Sequence, residues 1–267
     1  MTGGARGIGR AMVRRFAAGG MRVVVADVDG ELAAEAAREV DGLGMAVDVR
    51  RIADVERLRD AALEAYGRVD LVCNNAGVTT SGRIRDLSLD EWRWILEVNL
   101  WGVIHGVHTF LPVLEANPEG GHLINTASGA GLAPAWANAP YGVSKYGIVG
   151  LSEILRGELA EDGSAVAVSV LLPSATATSI VESSRSLAEG VVARAAGDAE
   201  REREQHKAQA LAAGMAPEAV ADMVWEALGD RRFWILPYPA HAQWALDRAR
   251  EIVAAAGVPA DEEEPVR

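Results

Sequence analysis

The sequence is poor in cysteine: Cys73 stands alone, so no disulfide can form within the chain. It lies in the apolar run Val69-Asp70-Leu71-Val72-Cys73, which assigns it as a small buried hydrophobe. Long hydrophobic runs are missing too. No apolar stretch is long enough to span a bilayer, and no signal-peptide pattern opens the chain. A soluble, cytoplasmic protein without a membrane partner is expected. Positive charge is scarce: 38 acidic residues stand against 26 basic ones, a formal net charge of -12. That argues against nucleic acid as a partner, which requires a basic face. Lysine is nearly absent, for Lys145 and Lys207 are the only two.

One of those lysines closes the stretch Tyr141-Gly142-Val143-Ser144-Lys145. At this spacing Tyr141 and Lys145 share one helix face, one turn apart. A phenol titrates near ~10, and a neighbouring cation favours its ionised form. Arginine stays charged, whereas lysine can tune its pKa. A chain that otherwise writes arginine, yet places lysine here, points to a proton-transfer pair. Ile148, Val149, Leu151, Ile154, Leu155 and Leu159 continue the helix to about Asp162.

The chain opens Met1-Thr2-Gly3-Gly4-Ala5-Arg6-Gly7-Ile8-Gly9 and then turns helical. A glycine loop entering a helix N-terminus is an anion cradle, because backbone N–H groups and the helix dipole point at phosphate. The apolar run Arg22 to Asp27 follows, of buried parallel-strand type and ending on an acid. An acid there suits the adenosine ribose of NAD and repels the extra phosphate of NADP. Helix and strand patterns then alternate: helix 31–40, strand 43–49, helix 52–66, strand 69–74, helix 90–115 with a Ser88/Glu91 capping box, strand 122–127, helix 141–162, strand 165–172. The fold class is α/β, a doubly wound parallel sheet of Rossmann type with helices on both faces. Ligands of such sheets gather beyond the carboxyl ends of the strands, where Gly3, Asp27, Asp48, Asn74, Ser128 and Pro173 fall.

Ser174 to Ala216 carries no strand pattern, and a substrate lid is expected over about 179–216. A helix 217–228, a strand 233–236 and a helix 240–256 follow. Residues 1–260 are expected to form one dinucleotide-binding and catalytic domain, and 261–267 an acidic tail. His105, His108 and His122 have no metal-ligand spacing, so no metal site is expected.

With these motifs in order, the sequence resembles the short-chain dehydrogenase/reductase family, whose members are NAD(P)-dependent oxidoreductases. Thr2-Gly3-x-x-x-Gly7-x-Gly9 is similar to the family's dinucleotide loop, and Asn74-Asn75-Ala76-Gly77 to its sheet-stabilising turn. The resemblance implies a catalytic tetrad of Asn99, Ser128, Tyr141 and Lys145. Tyr141 would be the general acid/base, with its pKa lowered by Lys145. Ser128 would bond the substrate oxygen, and Asn99 would hold a water on a proton path. It implies cofactor contacts from Gly3, Arg6, Gly7, Ile8, Gly9, Asp27, Asp48, Val49, Asn75, Gly77, Tyr141, Lys145, Pro173 and Thr178. Pro173-Ser174 departs from the family's Pro-Gly at that loop.

The expected activity is hydride transfer between NAD, NADP being the lesser choice, and a secondary alcohol or ketone. Trp136, Ala137, Asn138 and Ile180 to Leu187 should line a mostly apolar pocket, favouring a hydrophobic or cyclic substrate. The alternatives are an NADP-preferring ketone reductase, an epimerase or dehydratase, and a catalytically silent cofactor-binding regulator. A homodimer or homotetramer through the helices 90–117 and 141–162 is implied, with Trp92, Ile95, Trp101, Val107 and Phe110 as apolar contacts. Finally, the family's first strand is apparently missing, since only Met1 precedes Thr2. An apolar strand upstream is expected, leaving the strands 22–27 and 69–74 about two spacings apart, roughly 9–10 Å.

Overall fold

A computed structural model describes residues 1–134, 136–189 and 197–257. In chain order the elements are α1 (Gly7–Ala18), β1 (Val24–Asp27), α2 (Gly30–Arg38), β2 (Leu43–Ala46), α3 (Ile52–Tyr66), β3 (Leu71–Asn74), α4 (Leu89–Leu96), α5 (Gly102–Glu115), β4 (His122–Thr126), α6 (Ala139–Glu161), β5 (Ala167–Leu171), α7 (Ile180–Ala188), α8 (Asp198–Ala212), α9 (Pro217–Gly229), β6 (Trp234–Ile235) and α10 (His241–Ala255). The alternation read from periodicity is present. The tail 261–267 and part of the expected lid lie outside the described residues.

Every strand pairing is parallel. β1 pairs with β2 from Val24↔Leu43, and β3, β4, β5 and β6 run side by side, with Leu71↔His122 and His122↔Ala167 in register. β1 and β3 do not pair directly. Met1 and Thr2 lie between them: Ala26 N donates to Met1 O (2.9 Å), Thr2 N to Cys73 O (3.1 Å), and Thr2 bridges Ala26. The slot expected between the flanking strands is thus occupied at its carboxyl end by these two residues.

Strand side chains alternate between two cores, as the period of two requires. Ala26, Val72, Leu123 and Val170 face α3, α5 and α6, meeting Leu58, Phe110, Ile148 and Leu155. Val25, Cys73, Ile124 and Leu171 face α1, α2 and α9, meeting Met12, Phe16, Ala33 and Val224. Both faces are covered, so the strands read as continuous apolar runs. Each fully buried large side chain stabilises the fold by about 1.5–3 kcal/mol. Cys73 is buried as its run implies, and burial pushes its thiol up to about 12.

The helix expected over 90–115 is two helices joined by a π turn, Glu97–Trp101. The Ser88/Glu91 capping box is present at its start. Of the apolar residues expected to face a partner, Ile95 and Phe110 are instead buried in the core, whereas Trp101 is exposed. Among the described residues no helix is long and apolar enough to cross a membrane.

Candidate active site

The opening loop forms a cradle at the carboxyl edge of the sheet. Gly3 takes φ +59°, and a Cβ there would stand 2.7 Å from Ala76 Cα. A Cβ on Gly9 would lie 2.0 Å from the carbonyl oxygen of Gly3, so only glycine lets α1 pack so close to its own entry. No side chain caps the N-terminus of α1, and its first turn carries no acid. That end, with Gly7 and Ile8, is open to an anion. Asn75 secures the loop: Nδ2 donates to the carbonyls of Thr2 and Gly3, each at 3.1 Å.

Asp27 ends β1 beside this cradle. Its carboxylate accepts from Ala5 N and Asp29 N, each at 3.2 Å. Burial raises its pKa, against the pull of those two bonds. Arg6 pairs with Asp29 at 3.1 Å. Asp48 follows β2 and pairs with Arg50 at 2.7 Å; burial opposes ionisation, yet Arg50 wins and holds the carboxyl low. Val49, Gly77, Pro173 and Thr178 line the same cleft.

Three of the four residues expected as a tetrad, Ser128, Tyr141 and Lys145, line the cleft, while Asn99 lies behind its wall. Tyr141 and Lys145 sit on the first turns of α6, with Lys145 Nζ 5.4 Å from the Tyr141 ring centre. Nζ donates to Thr126 O at 2.8 Å. Ser128 follows β4, donates to Pro173 O (3.3 Å), accepts from Ala130 N (3.2 Å) and hydrogen-bonds Tyr141. Asn99 lies in the π turn, fully buried. Its amide brackets Val78, accepting from Val78 N (2.8 Å) and donating to Val78 O (2.9 Å), and also donates to Ser144 Oγ (3.2 Å).

One electrostatic expectation is corrected. Tyr141 is raised, not lowered: burial dominates, and the Ser128 bond only opposes it. Burial also pushes Lys145 down to about 7, so at neutral pH its charge is partial. Desolvation thus outweighs the neighbouring cation that the spacing suggested.

The cleft encloses about 1240 Å³. Beyond Tyr141 its walls include Trp94, Val98, Ile180, Leu187 and Leu211, with Trp136 at the rim, 90% exposed. Ala137 does not line it; this residue takes φ +55° and accepts from Gly82 N at 2.8 Å through its carbonyl. Two contributions escaped the sequence reading. Lys207 of α8 reaches the cleft, its Nζ 5.5 Å from the Tyr141 ring centre, and Trp244 and Arg248 of α10 close another side. The rarity of lysine was the one signal for Lys207.

A profile of the short chain dehydrogenases matches residues 1–188. The chain belongs to the short-chain dehydrogenase/reductase family. Against curated proteins this short-chain dehydrogenase is 35% identical over 244 residues to a 1-deoxy-11-beta-hydroxypentalenate dehydrogenase of Streptomyces exfoliatus, covering 88% of the chain and 80% of the relative. It is 32% identical over 246 residues to a C alpha-dehydrogenase of Sphingobium, covering 90% and 79%. Among solved structures, a short-chain dehydrogenase/reductase from Burkholderia phymatum in complex with NAD superposes with a TM-score of 0.90 at 33% identity, covering 100% of this chain and 96% of that one.

Proposed function

We propose that this short-chain dehydrogenase is NAD-dependent and interconverts a secondary alcohol and a ketone. The observation that carries the reading is the convergence of Ser128, Tyr141 and Lys145 on one cleft whose far end holds Asp27. The cleft fits a dinucleotide on its own geometry: glycines at Gly3 and Gly9 that no Cβ can replace, an uncapped helix end, and a strand-end acid. Gly3, Gly7, Ile8 and Gly9 would hold the pyrophosphate, Asp27 the adenosine ribose, Asp48 and Val49 the adenine edge. Asn75 and Gly77 would line the adenosine side, Lys145 the nicotinamide ribose, and Pro173 and Thr178 the carboxamide. Arg6 is paired with Asp29, which leaves two carboxylates at the strand end and disfavours an added phosphate.

When bound, the nicotinamide supplies the hydride acceptor or donor. The chain supplies the rest. Ser128 donates to the substrate oxygen and fixes it near Tyr141. Tyr141 exchanges the hydroxyl proton at its phenol oxygen. Lys145, poised near neutrality, returns that proton toward solvent. Asn99 has its amide fully engaged with Val78 and Ser144, so it positions the loop after β3. A water on the proton path would rest on the Asn99 backbone rather than its side chain. Within the expected lid, α7 and α8 cover the cleft, placing Ile180, Leu187 and Leu211 along it. The lid and the cofactor cradle belong to one domain.

We also infer a dimer or tetramer through α6 and the neighbouring α4–α5 pair. Val143 and Ile154, about three turns apart on one face of α6, are exposed, as is Trp101. Between and beyond them, Gly150 and Gly157 leave that face open. The test of function is direct: NAD and NADP are supplied with a panel of secondary alcohols, and reduction is followed optically. Turnover with NAD at a higher kcat/KM than with NADP is expected. Turnover with neither across the panel, despite cofactor binding, favours a silent regulator.

A further inference from the structure

Lys207 has no role in the chemistry above, yet it is the second of only two lysines and both flank Tyr141. It stands on α8, the most polar lid helix, and its stem crosses the cleft wall to reach the loop after β3. Nζ donates to Thr79 Oγ1 at 2.5 Å. With the Asn138 amide oriented so that Nδ2 donates to Thr80 O (2.9 Å), Oδ1 accepts from Lys207 Nζ at 3.0 Å. The third contact, to Thr80 O, is 3.4 Å long. An ammonium has three donors. Two are well used, and the third points at an acceptor beyond the usual range of about 2.7–3.2 Å.

All three acceptors are uncharged. Glu204 acts on Lys207 only from a distance, for its carboxylate pairs with Arg185 at 2.7 Å. Among the described residues no carboxylate forms an ion pair with Lys207. A half-buried cation held by neutral acceptors alone keeps its charge available to an anion that arrives from outside. The cleft it reaches has apolar walls that include Trp94, Val98, Leu187 and Leu211, and such walls strengthen a charge pair formed within it. A single ammonium is a point charge that suits a monoanion, whereas phosphate is the better match for a planar arginine fork.

We propose that Lys207 binds a carboxylate of the substrate, so that the enzyme acts on a hydroxy acid or keto acid whose anion lies a few bonds from the reacting carbon. The placement relative to the reacting carbon rests on Tyr141 being the acid/base residue. The anion displaces the long Thr80 contact and takes the third donor of the ammonium. Lys207 then selects among ketones of similar shape.

Two measurements test this. Phenylbutyrate and its neutral amide, phenylbutyramide, are titrated into the NAD-loaded protein and into the protein alone, by calorimetry. The acid should bind about tenfold or more tighter than the amide. Lys207→Met should abolish the difference while leaving amide binding unchanged, and Lys207→Arg should restore part of it. In parallel, kcat/KM is compared for keto acids of graded chain length and for their methyl esters. The acid-to-ester ratio should collapse toward one in Lys207→Met, with ester turnover kept. Equal binding of acid and amide by the wild type overturns the proposal. So does a Lys207→Met variant that weakens both ligands equally, which marks a purely structural role in holding α8. Preference for the acid without turnover of any ketone sinks the dehydrogenase reading and leaves the carboxylate site standing. Turnover of neutral ketones with no preference for acids does the reverse.

Discussion

Asp27 sits where two backbone N–H groups brace its carboxylate and burial works against its charge. If it is the ribose acceptor, Asp27→Ala removes one acceptor and one repulsive charge together. The ratio of kcat/KM for NADP over NAD should rise by about tenfold or more. A wild type that already prefers NADP contradicts the assignment. His122 offers a prediction independent of function. It is buried on β4 with Nε2 2.7 Å from Ser169 Oγ, and burial, helped by Arg231, pushes its pKa down to about 4. The unfolded chain takes up that proton near pH ~6.5. Between those two values the unfolded state binds more protons, so stability that is full above about pH 6.5 falls as pH drops through the window. From pH 7 to pH 5 the wild type should lose about 2 kcal/mol more than His122→Asn, by urea denaturation. Equal losses would show that His122 titrates normally in the fold. Tyr141 and Lys145 teach the same physics. Their spacing was legible, but their protonation was not, because burial is a property of the assembled cleft.

Among the elements, α3 matches its expected span, Ile52 to Tyr66, while strands are shorter than their apolar runs. Val23 and Val69 are hydrophobic yet lie outside the strands proper, and hydrophobicity is what periodicity reads. The start of α4 was legible because a capping box is local: Ser88 accepts from Glu91 N while Glu91 accepts from Ser88 N. Ser88→Ala should lower stability by about 0.5–2 kcal/mol, read from the urea midpoint, with no change in cofactor affinity. An unchanged midpoint would show that packing alone holds this end. The π turn at Glu97–Trp101 was not legible. Its apolar residues continue the helical period, and the extra residue is demanded by tertiary bonding, for Asn99 must reach both backbone groups of Val78. A one-residue bulge of this kind is common at functional sites. Lys207 illustrates the same limit at longer range, since its partner Thr79 lies 128 residues away in sequence.

The whole molecule is a two-sided sheet with one large cleft, built from the chain's first residues, its middle and its last described helix. The parallel sheet and the gathering of candidate residues at its carboxyl edge followed from alternation, and a lid that includes α8 was expected from the long excursion after β5, while the wall from α10 was not, since that helix carries a polar, surface-like pattern. At this scale the exposed face of α6 predicts association. Light scattering at micromolar concentration should give a mass two or four times that of the chain, and Val143→Asp combined with Ile154→Asp should lower it to one. A wild-type monomer would contradict the inferred interface. The proposed chemistry turns on Tyr141 moving the proton while other residues hold the cofactor. The most direct measurement is made on Tyr141→Phe, with NADH affinity followed by fluorescence and turnover followed on the best alcohol found. Affinity should stay within a few-fold of wild type and kcat should fall by orders of magnitude, because the ring remains and the donor is gone. Near-normal turnover in Tyr141→Phe would contradict the mechanism outright.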